Sequence, residues 1–345
     1  MNQLLYYTTD NIATLLHAKL ADLHAEHVFI VHGKGSYVAC GAAEVMREVC
    51  KDLLVTEFAD FSVNPKDEEA QRGLQIVLDT KPDVIISVGG GSAMDMAKLI
   101  RHYAAEQHYK IPLWAIPTTA GTGAEATHFA VVYKDGVKHS MEADDILPDI
   151  AILYPPFTYG NNAYLTACTG FDALAQAIEA YWNPKATDES RQYSIRAIEM
   201  IYKPLPRCIK HPGEIKLRDK LLQGAYWAGR AINITKTTAP HAFSYVFTSK
   251  YGYPHGHAVA LTFSFFMKLN GTQDLFDLLG MSIDEVMRQM ESYISSLGLS
   301  IKLPCSVDVA SALQAVNLQR LANNPVMVSQ NIINELELYL EKNDL

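Results

Sequence analysis

The stretch from Thr235 to His257 holds a cluster of residues that could do metal chemistry. It contains His241, His255 and His257, and apolar, helix-like segments stand on both sides of it. An unpaired polar group in a core costs about 1–3 kcal/mol, so a polar insertion of this kind needs partners. Taken alone, these residues are equally compatible with ordinary histidines that cap the helices of a helix-loop-helix.

A second polar pair lies in the segment 170–182, GFDALAQAIEAYW. Asp172 and Gln176 are four residues apart and are flanked by apolar residues, so they share one face of a predicted helix. With His241 and His255 they make a set of one carboxylate, one amide oxygen and two imidazoles. Such a set could hold a divalent ion with a position left open for substrate. For the pair alone, a capping or core hydrogen bond is the alternative.

Three residues close before His241 could bind an anion. Lys236, Thr237 and Thr238 offer an ammonium group and two hydroxyls, which are suitable donors for an anionic group. The alternative is a surface lysine that contacts a helix terminus.

Two glycine-rich turns follow predicted buried strands in the first half of the chain. The strand 83–88 runs into the turn 89–92 (GGGS), and the strand 113–116 ends in 117–123 (PTTAGTG). Glycine lets the backbone approach a pyrophosphate, and a helix N-terminus favours its negative charge. Ligands of open α/β sheets collect at the carboxyl ends of the strands, which predicts a nucleotide site here. The turns do not match GxGxxG, so the usual dinucleotide fingerprint is absent.

The end of the strand 27–32 bears on the choice of cofactor. An acid at such a strand end typically binds the ribose 2′-hydroxyl of NAD, but this turn contains Gly33, Lys34 and Ser36 and no carboxylate. Lys34 and Ser36 could accommodate a 2′-phosphate, which favours NADPH over NADH. The alternative is that Lys34 is an exposed turn residue.

The order of these segments predicts two domains. Strand-like and helix-like segments alternate up to Pro155 and Pro156, which is typical of a doubly wound parallel sheet. Beyond them the segments are long and helically periodic. We therefore predict an α/β nucleotide-binding domain over residues 1–156 and an all-α metal- and substrate-binding domain over 157–345.

Composition narrows the class of protein. The 345 residues are 49% hydrophobic and 19% charged, which fits a globular protein, and the net charge of −9 argues against nucleic-acid binding. The five cysteines are scattered and lack metal-binding spacing, which is typical of free thiols in a reducing compartment. Neither a secretory signal nor an apolar run of about 20 residues is present, so we expect a soluble cytoplasmic protein without a membrane partner.

With these residues assembled, the chain resembles the iron-containing alcohol dehydrogenase family, which has the dehydroquinate synthase-like fold. The resemblance covers nearly the whole length. It is carried by VGGGSAMDMAK at 88–98, PTTAGTGAEAT at 117–127, GFDALAQAIEAYW at 170–182, the spacing of His241 and His255-Gly256, and LANNPV at 321–326.

The resemblance implies a metal-dependent alcohol dehydrogenase or aldehyde reductase that acts in a cleft between the two domains. It places the metal, Fe²⁺ as first choice and Zn²⁺ as second, on Asp172, Gln176, His241 and His255. It also implies a homodimer or larger homo-oligomer. The implied cofactor contacts are Asn64, Gly90, Gly91, Ser92, Asp95, Thr118, Thr119, Thr122 and Lys138.

The chain departs from the family pattern at two positions. Gln176 stands where the family usually has a histidine ligand, which could weaken metal binding or loosen selectivity among Fe, Zn and Mn. Tyr245 stands where many members have a second histidine one turn after the first. The alkoxide could therefore be protonated by water, by His257 or by Tyr245.

Within the family, Gln176 and the runs 233–241 and 254–257 are most similar to the phosphonoacetaldehyde reductases. The resemblance therefore implies reduction of phosphonoacetaldehyde to 2-hydroxyethylphosphonate, with Lys236 and its threonines on the phosphonate. One rival is a general reductase of small aliphatic aldehydes in which Lys236 plays no part. Another is a catalytically lapsed nucleotide-binding protein in which Gln176 marks the loss of the metal.

Overall fold

The computed structural model of the protein describes residues 3–135, 137–304, 307–316 and 321–342. It divides into two compact units, Met1–Asn161 and Asn162–Leu345. Among the described residues, no helix is long and apolar enough to cross a membrane. Cys40, Cys50, Cys168 and Cys208 are free thiols, and Cys305 lies outside the described residues.

The first unit is built on a six-stranded, all-parallel sheet. The strands and helices, in chain order, are β1 (Leu4–Tyr7), α1 (Ile12–Asp22), β2 (His27–His32), α2 (Ser36–Ala39), α3 (Ala42–Val49), β3 (Leu54–Phe58), α4 (Asp67–Thr80), β4 (Val84–Gly89), α5 (Gly91–Glu106), β5 (Leu113–Pro117), β6 (Phe129–Lys134), β7 (Val137–Glu142) and β8 (Ile150–Leu153). The predicted doubly wound parallel sheet is confirmed.

Strand order places the predicted nucleotide turns side by side. The order in the sheet is β1-β8-β5-β4-β2-β3, so β4 lies between β2 and β5. The chain builds outward from β2 to β3 and then returns to β4 on the other side, which makes the β2–β4 boundary the switch point of the sheet. Because all strands are parallel, the turns after β2, β4 and β5 meet at one edge.

Apolar residues on alternate faces of the central strands explain why helices cover both sides of this sheet. Ile86 and Trp114 face a cluster that includes Leu16 of α1 and Met46 of α3. On the opposite face, Ile85, Leu113 and Phe29 pack with Leu74 of α4 and Leu99 of α5. Strands β1 and β8 and the antiparallel pair β6–β7 were not predicted from the sequence.

The second unit is helical, as predicted. Its helices are α6 (Ala163–Trp182), α7 (Asp188–Ile201), α8 (Pro204–Lys210), α9 (Ile215–Thr235), α10 (Ala239–Tyr251), α11 (His255–Asn270), α12 (Gln273–Leu279), α13 (Val286–Ser296), α14 (Val309–Gln314) and α15 (Gln330–Lys342).

Helix α6 is the central element of this unit. It packs against α7, α8, α9 and α11, and every residue from Gly170 to Trp182 is buried. A helix surrounded in this way is apolar on all sides. The few polar side chains on it are therefore the ones that need an explanation.

Candidate functional site

Three of the four predicted metal ligands converge in the second unit. Asp172 of α6, His241 of α10 and His255 of α11 each offer a ligand atom within 4.8 Å of the others. The Asp172 Oδ1 atom lies 3.1 Å from His241 Nε2 and 3.7 Å from His255 Nε2. Metal–nitrogen and metal–oxygen bonds of about 2.0–2.2 Å put neighbouring ligand atoms roughly 3.0–3.5 Å apart. The cluster therefore has close to the spacing that a bound divalent ion requires.

The fourth predicted ligand, Gln176, lies beside the same cluster. Its Nε2 atom donates to Asp172 Oδ2 at 3.4 Å. Its Oε1 atom is buried and has no hydrogen-bond partner among the residues that the structure describes. A buried amide oxygen without a partner costs about 1–3 kcal/mol, and with the amide group turned over this oxygen would face Asp172 and could join a cation held there. The donor set thus fits a divalent ion, with an oxygen donor in the place of an imidazole.

Gly256 explains how two helices come close enough to form this cluster. A Cβ atom at this position would lie 1.9 Å from the carbonyl oxygen of Cys168 and 3.0 Å from Cβ of Asp172. Only glycine therefore lets the first turn of α11 rest against the backbone of α6. The adjacent His255 is carried to Asp172 by this contact, which the sequence reasoning did not anticipate.

Glu179 is a member of the site that the sequence reasoning missed. It is fully buried, and its Oε1 atom forms a short hydrogen bond with His241 Nδ1. Burial alone would lower the pKa of His241, but the Glu179 and Asp172 carboxylates together raise it to about 9. Glu179 comes seven residues after Asp172, two helical turns along the same face, and this spacing is the signal that could have revealed it.

Thr238 is occupied by Glu179 and does not offer its hydroxyl to a substrate. Its N–H and Oγ1 donate to Glu179 Oε2 at 2.6 and 2.8 Å. Its Oγ1 also accepts from Trp182 Nε1 at 3.1 Å, and the residue is 1% exposed. The substrate contact predicted for Thr238 is therefore replaced by a contact that supports the metal ligands.

The backbone of Lys236 is strained. Its φ of 65° and ψ of 177° fall in a region that is essentially restricted to glycine. The flanking chain is held by Asn323, whose Nδ2 donates to the carbonyls of Thr235 and Thr237 at 3.0 and 2.8 Å. Asn183 Nδ2 donates to the Lys236 carbonyl at 3.3 Å. Asn183 was not singled out from the sequence, and Asn323 entered only as part of the run 321–326.

The two candidate proton donors have different surroundings. The Tyr245 ring stacks on His255, with ring centroids 5.9 Å apart and an interplanar angle of 10°. His257 donates through Nε2 to the Ser300 carbonyl at 2.7 Å, and its Nδ1 accepts from the Tyr164 hydroxyl at 2.8 Å. Both ring nitrogens of His257 are therefore engaged, whereas Tyr245 is in contact with a metal-ligand candidate.

In the first unit, the glycine-rich turns lie against each other as the strand order requires. A Cβ at Gly91 would lie 3.0 Å from Thr122 Cγ2, and one at Gly90 would lie 3.4 Å from Thr119 Oγ1. Gly91 is the first residue of α5, a 16-residue helix, whose first N–H groups have no intrahelical partner. The structure thus brings together the turns for which the sequence predicts a phosphate site, and the binding of a phosphate there stays a prediction.

Ser92 and Asn64 are joined through the backbone. The Ser92 hydroxyl donates to the carbonyl of Val63 in a short hydrogen bond, which fixes the segment before Asn64 at the N-terminus of α5. The structure thus brings Asn64, which is exposed, to the same edge as the glycine-rich turns. The Ser92 hydroxyl itself is committed to Val63.

Thr118 and Asp95 are two further predicted cofactor contacts with distinct surroundings. Thr118 is 2% exposed, and its Oγ1 has no hydrogen-bond partner among the described residues. Asp95 accepts from the Val131 N–H at 3.1 Å. Burial raises the pKa of Asp95 to about 6, against the opposing effects of Lys98, the Val131 N–H and Lys138. The predicted contact Lys138 is thus close enough to Asp95 to influence it.

Lys34 lies at the predicted position but is paired with an acid. Its Nζ atom is 3.2 Å from Asp60 Oδ1, and both side chains are well exposed. Arg72 also approaches Asp60, with 3.5 Å between its guanidinium and Oδ2. Ser36 is the first residue of α2 and lies against Gly33, where a Cβ would be 2.7 Å from Ser36 Oγ. This turn contains no carboxylate of its own, and Asp60, in the segment after β3, lies beside it.

Comparisons with known proteins agree with this arrangement. The family model for iron-containing alcohol dehydrogenase matches residues 5–155, and the model for the C-terminal domain of the same family matches residues 166–333. The chain belongs to the iron-containing alcohol dehydrogenase family.

Individual relatives are moderately similar. The 1-propanol dehydrogenase PduQ of Salmonella typhimurium is 30% identical over 222 residues, 64% of this chain and 60% of that protein. The chain thus matches about 60% of the length of this curated relative. The sulfoacetaldehyde reductase of Bifidobacterium kashiwanohense, solved with NAD⁺, is 26% identical, with a TM-score of 0.90 over 98% of this chain and 96% of that one. An iron-containing alcohol dehydrogenase of Thermococcus thioreducens shares the fold at 23% identity, with a TM-score of 0.88 over 99% of this chain and 98% of that one.

Proposed function

We propose that the protein is a metal-dependent, NAD(P)H-linked aldehyde reductase whose substrate carries an anionic group. The observation that carries this proposal is the strained backbone of Lys236, five residues before the metal-ligand candidate His241. The proposed reaction is reduction of phosphonoacetaldehyde to 2-hydroxyethylphosphonate.

Asp172, Gln176, His241 and His255 would hold the metal, with Fe²⁺ as first choice and Zn²⁺ as second. When bound, the ion would polarise the aldehyde oxygen as a Lewis acid, and reduced nicotinamide would supply the hydride. Two imidazoles suit Fe²⁺ and Zn²⁺ alike, whereas the harder amide oxygen of Gln176 loosens selectivity towards Mn²⁺. The three-residue cluster and the Gln176 oxygen, which has no hydrogen-bond partner among the described residues, argue against a catalytically lapsed protein.

The presence of lysine at the strained position 236 supports an anionic substrate. A glycine at this position would avoid about 1–3 kcal/mol of backbone strain, yet the chain has a lysine there. We infer that its ammonium group is required, together with the Thr237 hydroxyl, to bind a dianion near the metal. The name of the bifidobacterial relative supports this inference, because sulfoacetaldehyde is an aldehyde with a sulfonate group.

Tyr245 is our candidate for the proton donor to the alkoxide. It stacks on His255, whereas the Nε2 proton of His257 is held by the Ser300 carbonyl. Tyr245→Phe should lower kcat while leaving the metal content unchanged. A kcat equal to that of the wild type would exclude Tyr245 and assign protonation to water or to His257.

We also propose a preference for NADPH over NADH. An exposed ion pair such as Lys34–Asp60 contributes only about 0–1 kcal/mol, so a 2′-phosphate can displace Asp60 and engage Lys34 and Ser36. Lys34→Ala should lower kcat/KM for NADPH and leave that for NADH unchanged. An equal effect on both would remove Lys34 from the 2′-phosphate site. A wild-type kcat/KM for NADH equal to or above that for NADPH would overturn the preference, and the NAD⁺ complex of the bifidobacterial enzyme favours that outcome.

The second candidate function is reduction of small uncharged aldehydes, which the name of the propanol dehydrogenase relative favours. One assay separates the two: phosphonoacetaldehyde and propanal are compared with NADPH and NADH, for the wild type and for Lys236→Ala. We expect Lys236→Ala to lose at least about tenfold in kcat/KM for phosphonoacetaldehyde and nothing for propanal. Equal activity on both aldehydes, unaffected by the substitution, would establish the uncharged substrate.

Metal dependence has its own test. Protein purified without chelators should contain stoichiometric metal by elemental analysis, and His255→Ala should lose both metal and turnover. An active, metal-free His255→Ala protein would contradict the proposed mechanism. Protein of the wild-type sequence that binds no metal would instead establish the lapsed alternative.

A further inference from the structure

Glu179 is a charged residue at the centre of the helical unit with no exposure to solvent. Its side chain is 0% exposed, and it lies on the face of α6 that carries Asp172 and Gln176, three residues beyond Gln176. An acidic side chain is almost never fully buried unless it is paired. Its contacts therefore show what it does.

The two carboxylate oxygens of Glu179 contact different residues, one just before α10 and one in its first turn. Oε2 accepts from the N–H and the hydroxyl of Thr238 at 2.6 and 2.8 Å, and Thr238 directly precedes the first residue of α10. The carboxylate thus sits at the N-terminus of a 13-residue helix, where a negative charge is favoured. Oε1 pairs with His241, in the first turn of the same helix.

The pairing with Oε1 determines which nitrogen of His241 faces the other ligands. A carboxylate accepts, so His241 Nδ1 donates its proton to Glu179. The opposite nitrogen, Nε2, then points to Asp172 at 3.1 Å and is left as the metal-binding atom. A carboxylate that fixes the tautomer and ring orientation of a histidine also increases its strength as a ligand.

Charge balance gives Glu179 a second reason to be where it is. Asp172 is the one anionic member of the predicted ligand set, because Gln176 and the two imidazoles are neutral. A divalent ion would therefore leave one uncompensated positive charge in a largely buried site. Glu179 supplies the missing negative charge through His241.

We propose that Glu179 is a positioning residue that orients His241 and balances the charge of a divalent ion, an inference that rests on the proposed metal-dependent function. Glu179 contacts Thr238, at the end of the predicted substrate segment, but none of its described contacts is with Lys236 or Thr237, and the predicted nucleotide turns belong to the first unit. Its effect should therefore fall on metal affinity and on kcat, and not on the KM for the nicotinamide cofactor.

The test measures the metal affinity of the whole chain directly. Metal-free wild type, Glu179→Gln and the exposed control Glu199→Gln are titrated with Co²⁺ and Zn²⁺ in competition with a chelator, and the visible spectrum of the Co²⁺ form is recorded. We expect Glu179→Gln to bind metal about 10- to 100-fold more weakly with an altered Co²⁺ spectrum, and Glu199→Gln to match the wild type. Thr238→Val, which removes one donor to Glu179, should give a smaller loss in the same direction and serves if Glu179→Gln does not fold.

The outcomes separate this inference from the proposed function. A wild-type protein that binds no metal would refute the proposed function. Wild-type affinity and spectrum in Glu179→Gln, or in Thr238→Val if only that variant folds, would refute the positioning role while leaving the proposed function intact. A lower thermal stability of the metal-free variant with unchanged metal affinity would likewise refute it, since that is the signature of a purely structural residue.

Discussion

Replacing Gly256 with alanine perturbs the contact that brings α11 against α6. The new Cβ would lie 1.9 Å from the Cys168 carbonyl oxygen and 2.8 Å from its carbonyl carbon, whereas real Cβ atoms essentially never come within 3.0 Å of such neighbours. The obstacle is backbone inside a buried helix and cannot rotate aside. The difference between 3.0 and 1.9 Å therefore requires the first turn of α11 to shift by about 1 Å.

A shift of this size is large for a metal site. His255 is the adjacent residue and moves with the backbone, while metal–ligand distances must hold to within about 0.2 Å. We expect Gly256→Ala to lose His255 as an effective ligand and to bind metal more than about 100-fold more weakly. Overpacking of this kind also lowers the free energy of unfolding by about 1–3 kcal/mol.

The assay combines metal titration with thermal unfolding of the metal-free protein. Gly213→Ala is the matched control in the same unit, because a Cβ at Gly213 would have nothing within 4 Å and its φ is not left-handed. The control should retain wild-type metal affinity. If Gly256→Ala bound metal as tightly as the wild type, the account of how α6 and α11 form the site would be wrong.

Three further predictions concern strain, an unpaired hydroxyl and pH. Lys236→Gly should raise the free energy of unfolding by about 1 kcal/mol, because the relief of backbone strain exceeds the entropic cost of glycine. Lys236→Ala keeps the strain and should not raise it. Differential scanning calorimetry of both variants tests this. Thr118→Val should stabilise the cofactor-free protein by about 1 kcal/mol, because the Thr118 hydroxyl is buried without a partner among the described residues. The same substitution should weaken NADPH binding, measured by fluorescence. Unchanged binding would show that Thr118 does not contact the cofactor. For Glu69, burial would raise the pKa, but hydrogen bonds from Ser62 and the Lys66 N–H lower it overall. A lowered pKa in the folded state contributes stability above the unfolded value of about 4.3 and loses it as pH falls through the folded value. Glu69→Gln should therefore lower the free energy of unfolding by about 1–2 kcal/mol at pH 7 and by progressively less below pH 4, as measured by thermal melts. The exposed Glu68→Gln is the control. A loss of stability that does not change with pH would contradict this.

The predicted metal ligands show how far sequence spacing can reach. Asp172 and Gln176 are one helical turn apart, so a single helix already places them together. His241 and His255 lie 14 residues apart on two different helices, and their approach to Asp172 was inferred from residue type and family resemblance. The structure accounts for it through the contact that Gly256 allows.

Glu179 and Thr238 show what local pattern could not supply. Glu179 stands among apolar residues of α6 and resembles any buried polar group until its partner is known, and Thr238 resembles a free hydroxyl beside a lysine. Their pairing joins residues 59 positions apart. Only the tertiary structure, which brings the N-terminus of α10 to Glu179 of α6, decides that they bind each other.

The sequence by itself determined the parallel sheet, the helical second unit and the residue types at both candidate sites. These follow from hydrophobic period, glycine positions and side-chain chemistry, which are local properties of the chain. The tertiary structure decided that β4 lies between β2 and β5, that Lys34 pairs with Asp60, and that the buried Glu179 binds His241. Those features depend on distances between segments remote in sequence, and these distances are set by how whole elements pack.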